Sequence, residues 1–304
     1  MTRFPRGRDR RLSSLATNSL LFALCAAALA GCHLFPQITG GPERTEKETL
    51  PGAPGAPGKY QFRVGQFVFL SDFEIQRNLP LFKELAQMRE QINKELRLPP
   101  SEREVFVYLF EDQEHYERYM QAKHPDLPKR RAFFLAQPRR LGGVEDLLVF
   151  TYWGHRIHQD LRHELTHAML HSVLKDVPLW LDEGLAEYYE TPPGWNGANA
   201  QHVESLLQAN TSFNLERLEQ LQDVQQMSPG EYREAWAWVH LMLHSSPRAR
   251  QVLVAYLAEL RTSAQPGLLQ PRLATVFLSP DQVLREHLTD LDSSLKTRPA
   301  SARR

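Results

Sequence analysis

The residues with the clearest capacity for chemistry are His163, Glu164 and His167, in the run Leu161-Arg162-His163-Glu164-Leu165-Thr166-His167. The pattern is H-E-x-x-H. On a helix, residues four apart share one face a turn from each other, so the two imidazoles can grip a single ion. Glu164 projects about 100° round the same helix, off the ligand axis but within reach of a water on the metal, where a general base must stand. A catalytic zinc ion takes three protein ligands and keeps a fourth position for water, so two histidines are not enough. The run Pro178-Leu179-Trp180-Leu181-Asp182-Glu183-Gly184-Leu185-Ala186-Glu187-Tyr188 supplies a candidate for the third. A second helix is expected there: Pro178 suits its first turn, and Leu181, Leu185 and Tyr188 fall on one apolar side. Glu183 would complete a His, His, Glu set for one Zn2+. Glu187, a turn later, could accept the outer N–H of a ligand histidine and fix its tautomer. Gly184 lacks a Cβ and would let the two helices approach closely.

The paired runs H-E-L-T-H and P-L-W-L-D-E-G-L-A-E-Y-Y resemble the gluzincin metallopeptidases. Within them the likeness is to the peptidase-MA-like domains, including bacterial envelope members, rather than to the thermolysin or aminopeptidase branches. The specific match covers residues 163–190, with a looser one around Tyr232. It implies that Glu183 is the third zinc ligand and that Glu187 is the carboxylate one turn on. One departure is that fifteen residues separate His167 from Glu183, a little fewer than in those other branches. A metzincin pattern is excluded, because it needs Gly three and His six residues after His167, and Leu170 and Val173 stand there.

The elements that must position these groups can be read in order. Alternation through Phe62, Val64, Phe67 and Phe69 predicts a strand over 60–70, and apolar residues spaced three and four apart predict a helix over 79–98, stopped by Pro99-Pro100. A strand at 105–110, a helix at 111–123 and strands at 132–136 and 147–152 follow, and the H-E-x-x-H helix spans about 157–174. Helices are expected over 202–208, 215–221, 229–245, 248–260 and 280–291. The fold class is therefore α+β. Its layout is zincin-like, a mixed-sheet N-terminal lobe with the active-site helix, then a helical C-terminal lobe. The resemblance also implies that one of the strands at 132–136 and 147–152 forms the cleft edge and pairs with an extended substrate. The loop 191–197 lies next to the site in sequence and is a candidate for shaping the pocket.

Hydrolysis of a peptide passes through an oxyanion, and a Tyr, His or Arg usually shares its charge with the metal. Related domains carry a Tyr ahead of an A-W-x-x-V-x-x-L helix, which maps onto Tyr232 in Glu231-Tyr232-Arg233-Glu234-Ala235-Trp236-Ala237-Trp238-Val239-His240; His240 is the second candidate. His171 continues the i+4 row but has turned about 80° from His163, so it is expected outside the ligand set. His155 and His158 precede the helix, with contact to the cleft or to nothing as the alternatives.

The chain has 304 residues, 36 basic and 36 acidic, and is 42% hydrophobic, which is globular composition without the charge that selects nucleic acid. Lys129, Arg130, Arg131, Arg139 and Arg140 flank Phe133 and Phe134, but in a neutral chain they read as solvated loops around a strand. At the front, Arg3, Arg6, Arg8, Arg10 and Arg11 precede an apolar core over 20–30, shorter than the ~20 apolar residues of a spanning helix, hence a secretory signal. Leu29-Ala30-Gly31-Cys32 resembles a bacterial lipobox, which implies cleavage before Cys32 and lipidation of its thiol. Cys25 is the other cysteine, so the mature chain would hold no disulfide. Residues 32–59 read as a Gly/Pro-rich disordered tether, 60–296 as the peptidase domain and 297–304 as a disordered tail. The expectation is a monomeric, lipid-anchored zinc metallopeptidase outside the cytoplasm, acting on peptides or proteins, with Glu164 as base toward a zinc-activated water. The alternative is an envelope binding lipoprotein that keeps the fold without catalysis.

Overall fold

Gly65, at φ +59°, turns the chain where one strand was expected over 60–70, and the segment becomes a hairpin of β1 (Tyr60–Val64) and β2 (Phe67–Ser71). The left-handed backbone that glycine adopts without a Cβ penalty breaks the alternation there. The computed structural model describes residues 55–138, 145–209 and 212–297. The expected signal segment, Cys32 and its lipidation, most of the tether, Arg139, Arg140 and the tail beyond 297 lie outside the described residues.

After the hairpin come α1 (Pro80–Leu96), β3 (Val105–Phe110), α2 (Gln113–Lys123), β4 (Ala132–Gln137), β5 (Asp146–Tyr152) and α3 (Ile157–Val173). Asp112 caps α2 by accepting from the His115 amide, and Arg97 ends α1 in the left-handed conformation. The strands form one mixed sheet in the order β1-β2-β3-β5-β4. β2, β3 and β5 run parallel, while β1 and β4 are antiparallel to their neighbours. Of the two strands considered for the cleft edge, β5 is thus internal and β4 is the edge.

The period of two along the strands separates two apolar faces. Leu147 and Val149 of β5 and Phe134 of β4 join the main core with α1 and α3. Leu148, Phe150 and Tyr152, with Phe133 and Leu135, pack on the other face against Tyr116, Tyr119 and Met120 of α2.

The rest of the described chain is helical. It comprises α4 (Leu179–Tyr189), α5 (Ala200–Gln208), α6 (Leu215–Glu219), α7 (Pro229–His244), α8 (Pro247–Leu260), α9 (Gln270–Leu273) and α10 (Pro280–Thr297), with a single 3-10 turn at Val224–Gln226. Thr297, expected to begin a disordered tail, is the last residue of α10. The main core runs without interruption from the sheet through α3, α4 and α7 to α8 and α10. Nearly every residue of α4 is buried, because it lies between α3 and α7. Gly184 makes that possible, though not toward α3 as expected: a Cβ there would stand 2.7 Å from the Ala235 carbonyl oxygen of α7. Among the described residues no helix is long and apolar enough to cross a membrane.

Candidate metal centre

Leu161, Leu165, Ala168 and Met169 bury one side of α3 in the main core, and this fixes its rotation. His163, Glu164 and His167 are carried on the flank that faces α4 and the end of β4. The two rings meet edge to face with centroids 4.9 Å apart. Phe134 of β4 lies nearly parallel to the His167 ring at 6.2 Å, so the edge strand forms one wall of the site.

Glu183 of α4 is brought to both histidines. Its Oε2 is 3.5 Å from His163 Nε2 and 3.7 Å from His167 Nε2. Ligands bonded at zinc distances and tetrahedral angles stand about 3.4 Å apart, so two nitrogens and one carboxylate oxygen have the spacing and donor chemistry of such an ion. The three donor atoms all lie within 4.8 Å of one another.

The outer nitrogen of each ring lies against a carboxylate, but not that of Glu187. His163 Nδ1 is 3.1 Å from Glu190 Oε2, and His167 Nδ1 is 2.9 Å from Asp182 Oδ2. Each ring therefore turns one nitrogen to Glu183 and the other to an orienting carboxylate. Glu187 instead accepts from His202 Nε2 at 2.8 Å, while staying close enough to His163 and Glu190 to form a second, overlapping acidic group. One turn of α4 beyond Glu183 points Glu187 toward α5, whereas the helix end brings Glu190 back to α3. Gln159 Nε2 donates to the other oxygen of Glu190 at 2.6 Å. Asp182 also lies 3.1 Å from His171 Nε2, and His171 is not among the three converging donors.

The protonation tendencies describe a place made for positive charge. Burial opposes charging His163 and His167, yet Glu183 and Glu190 raise the first well above the ordinary imidazole range, and Asp182 and Glu183 raise the second. Burial would also raise Asp182, but the adjacent His167 and His171 hold it well below the usual carboxylate range. Burial raises Glu164 despite the two histidines. A divalent cation bound here would displace the imidazole protons and answer the same carboxylates.

A cleft of about 250 Å3 opens over His163 and Glu164, lined also by Arg130, Arg131, Ala132 and Glu190. Tyr232, in the first turn of α7, is half-buried; its hydroxyl lies 3.5 Å from Arg130 Nη2. Burial and the charge of Glu183 raise its pKa. His240 is directed elsewhere: its Nδ1 meets His287 Nε2 of α10 at 2.8 Å, among Tyr188, Trp236 and His244. The 191–197 loop packs into this second cluster, where Gly197 O accepts from Trp236 Nε1 and Thr191 Oγ1 donates to Tyr188 O at its own helix end. His155 is exposed, and His158 pairs with Glu84 at 3.1 Å.

Asp182 and Glu190 were missed by sequence reasoning, although the row His163, His167, His171 was a signal that carboxylates should stand opposite it. Arg130 was read as a solvated loop residue and reaches the cleft. Compared with known protein families and with curated proteins the chain gives no match, so its activity has to be argued from this geometry.

Proposed function

We propose that this chain is a zinc-dependent peptidase of the gluzincin type, anchored through a lipidated Cys32 to the bacterial cell envelope outside the cytoplasm. The observation that carries the reading is the convergence of His163 Nε2, His167 Nε2 and Glu183 Oε2 at ion-binding spacing, with Glu164 on the same helix beside them. A structural zinc site is closed by four protein ligands and needs no base, whereas this set offers three and a carboxylate that is not one of them.

A zinc ion held by those three residues supplies Lewis acidity, polarising a carbonyl and making a water easier to deprotonate. Glu164 receives the proton of the attacking water and returns it to the leaving amine nitrogen. Tyr232, kept protonated by its surroundings, donates to the oxygen on which negative charge develops. The free edge of β4 holds the substrate backbone extended by main-chain pairing. Asp182 and Glu190 keep the two imidazoles in their tautomers and orientations.

Glu164→Gln tests the reading. The expected result is full zinc content by atomic absorption and loss of cleavage of a quenched-fluorescence peptide library by about 100-fold or more. Unchanged turnover would sink the assigned base, and a wild-type, zinc-loaded protein that binds peptides but cleaves none would make it a binding lipoprotein.

A further inference from the structure

A second cavity, of about 720 Å3, lies beneath α2 on the face of the sheet opposite α3. Its floor is apolar, made by Met120, Leu127, Phe133 and the ring of Tyr116. That volume suits a well-formed ligand pocket. Lys129 and Arg130 stand exposed at its rim, with Glu117 and Arg118 also in its lining, and the Arg130 guanidinium reaches over to Tyr232 on the metal side. His124 also lines it, with a buried Nδ1 that has no hydrogen-bond partner.

This cavity and the metal cleft share a wall. Arg130 and Arg131 line both. Tyr116, from the cavity side, donates its hydroxyl to the Arg130 carbonyl at 3.0 Å. The Arg131 guanidinium joins Tyr152 of the cavity at 2.6 Å to Asp160 of the cleft at 2.9 Å. The partition between the two spaces is thus the chain leading into β4.

β4 shows how one substrate can use both. Phe134 faces His167, while Phe133 and Leu135 face α2, so alternate side chains of this strand go to opposite sides of the sheet. Among the described residues no strand pairs with the outer edge of β4. A peptide added there takes the same pleat: if one residue faces the metal cleft, its neighbours face the α2 side.

Resting on the peptidase reading above, we propose that the α2 cavity is a specificity subsite, which takes a large apolar side chain from an acidic stretch of the substrate, next to the residue at the metal. The apolar floor holds the side chain, and Lys129 and Arg130 meet carboxylates two residues away, which the pleat turns to the same side.

The test is binding rather than turnover. Zinc-loaded Glu164→Gln protein is titrated by fluorescence anisotropy with the fluorescein-labelled hexapeptide Glu-Ala-Phe-Ala-Glu-Ala, whose Phe and Glu side chains share one face when extended. Two control peptides carry Ala for Phe or Lys for Glu. The Phe- and Glu-bearing peptide should bind about tenfold more tightly than either control. Ala122→Trp, at an exposed cavity-lining position on α2, should abolish the Phe preference. Lys129→Glu should abolish the Glu preference and leave the Phe preference intact. Circular dichroism should show both variants folded. Equal affinity for the three peptides, or a Phe preference that survives Ala122→Trp, overturns the subsite. Cleavage by the wild type without these preferences removes the subsite alone, whereas the preferences without cleavage remove the peptidase reading and leave the subsite standing.

Discussion

Asp182 Oδ2 lies 2.9 Å from Nδ1 of His167, on the side of the ring away from Glu183. This buried carboxylate lies against the ring without joining the three donor atoms that converge on its other side. Asp182→Ala is therefore expected to weaken zinc binding by about 10–100-fold, as loss of such orienting partners does. Glu187→Gln, whose carboxylate is engaged with His202, should change it little. Competition against a chelating indicator measures both; the reverse ranking would return the orienting role to Glu187.

Tyr232→Phe removes one hydroxyl and keeps the ring. If that hydroxyl stabilises developing charge, kcat falls by about 100- to 1000-fold while KM and zinc content hold. His240→Phe should leave kcat within a few-fold, since His240 is engaged with His287. Steady-state kinetics on one fluorogenic peptide decide it, and equal kcat for Tyr232→Phe and wild type would make Tyr232 a packing residue only.

The pH dependence of stability should show the second histidine cluster. Burial, aided by neighbouring His244, lowers His240 to about 2, and the same causes lower His287 to about 4. Burial also lowers His244, with Glu95 of α1 opposing this and Arg250 of α8 adding to it; Asp290 opposes the shift of His287, and Tyr188 of α4 hydrogen-bonds His244. Unfolded histidines take protons near pH 6.5, so the unfolded state binds more protons below that value. The stability these groups contribute is complete above about pH 6.5 and is lost as pH falls toward 4, by at most about 1.4 kcal/mol per unit for each group. Thermal melts of the zinc-loaded protein against a His240→Phe/His287→Leu double variant between pH 4 and 7.5 should show the flatter acid limb in the variant. Parallel curves would rule the cluster out as the source.

Much of this was legible in the chain because it is local. His163 and His167 are one turn apart whatever surrounds them, and short apolar runs announced β3 and β5. The order β3-β5-β4 was not, since the expected strands at 132–136 and 147–152 read alike, and only their pairing leaves β4 at the edge. Asp182 and Glu190 escaped for the same kind of reason. Helical spacing puts Glu183 and Glu187 on one stripe, but which carboxylate reaches a given imidazole depends on how α4 crosses α3. Likewise His240, His244 and His287 come together through the meeting of α7 and α10, which no spacing within either helix discloses.

Where Gly184 rests on Ala235, main chain meets main chain with no side chain between them to change rotamer. Such a seam has nothing with which to slide. Glu183, on one side of it, and Tyr232, a turn before Ala235 on the other, are carried as one piece. Any widening of the cleft is then expected on the sheet side, at the strand bearing Phe134, with the carboxylate and the phenol keeping their mutual distance.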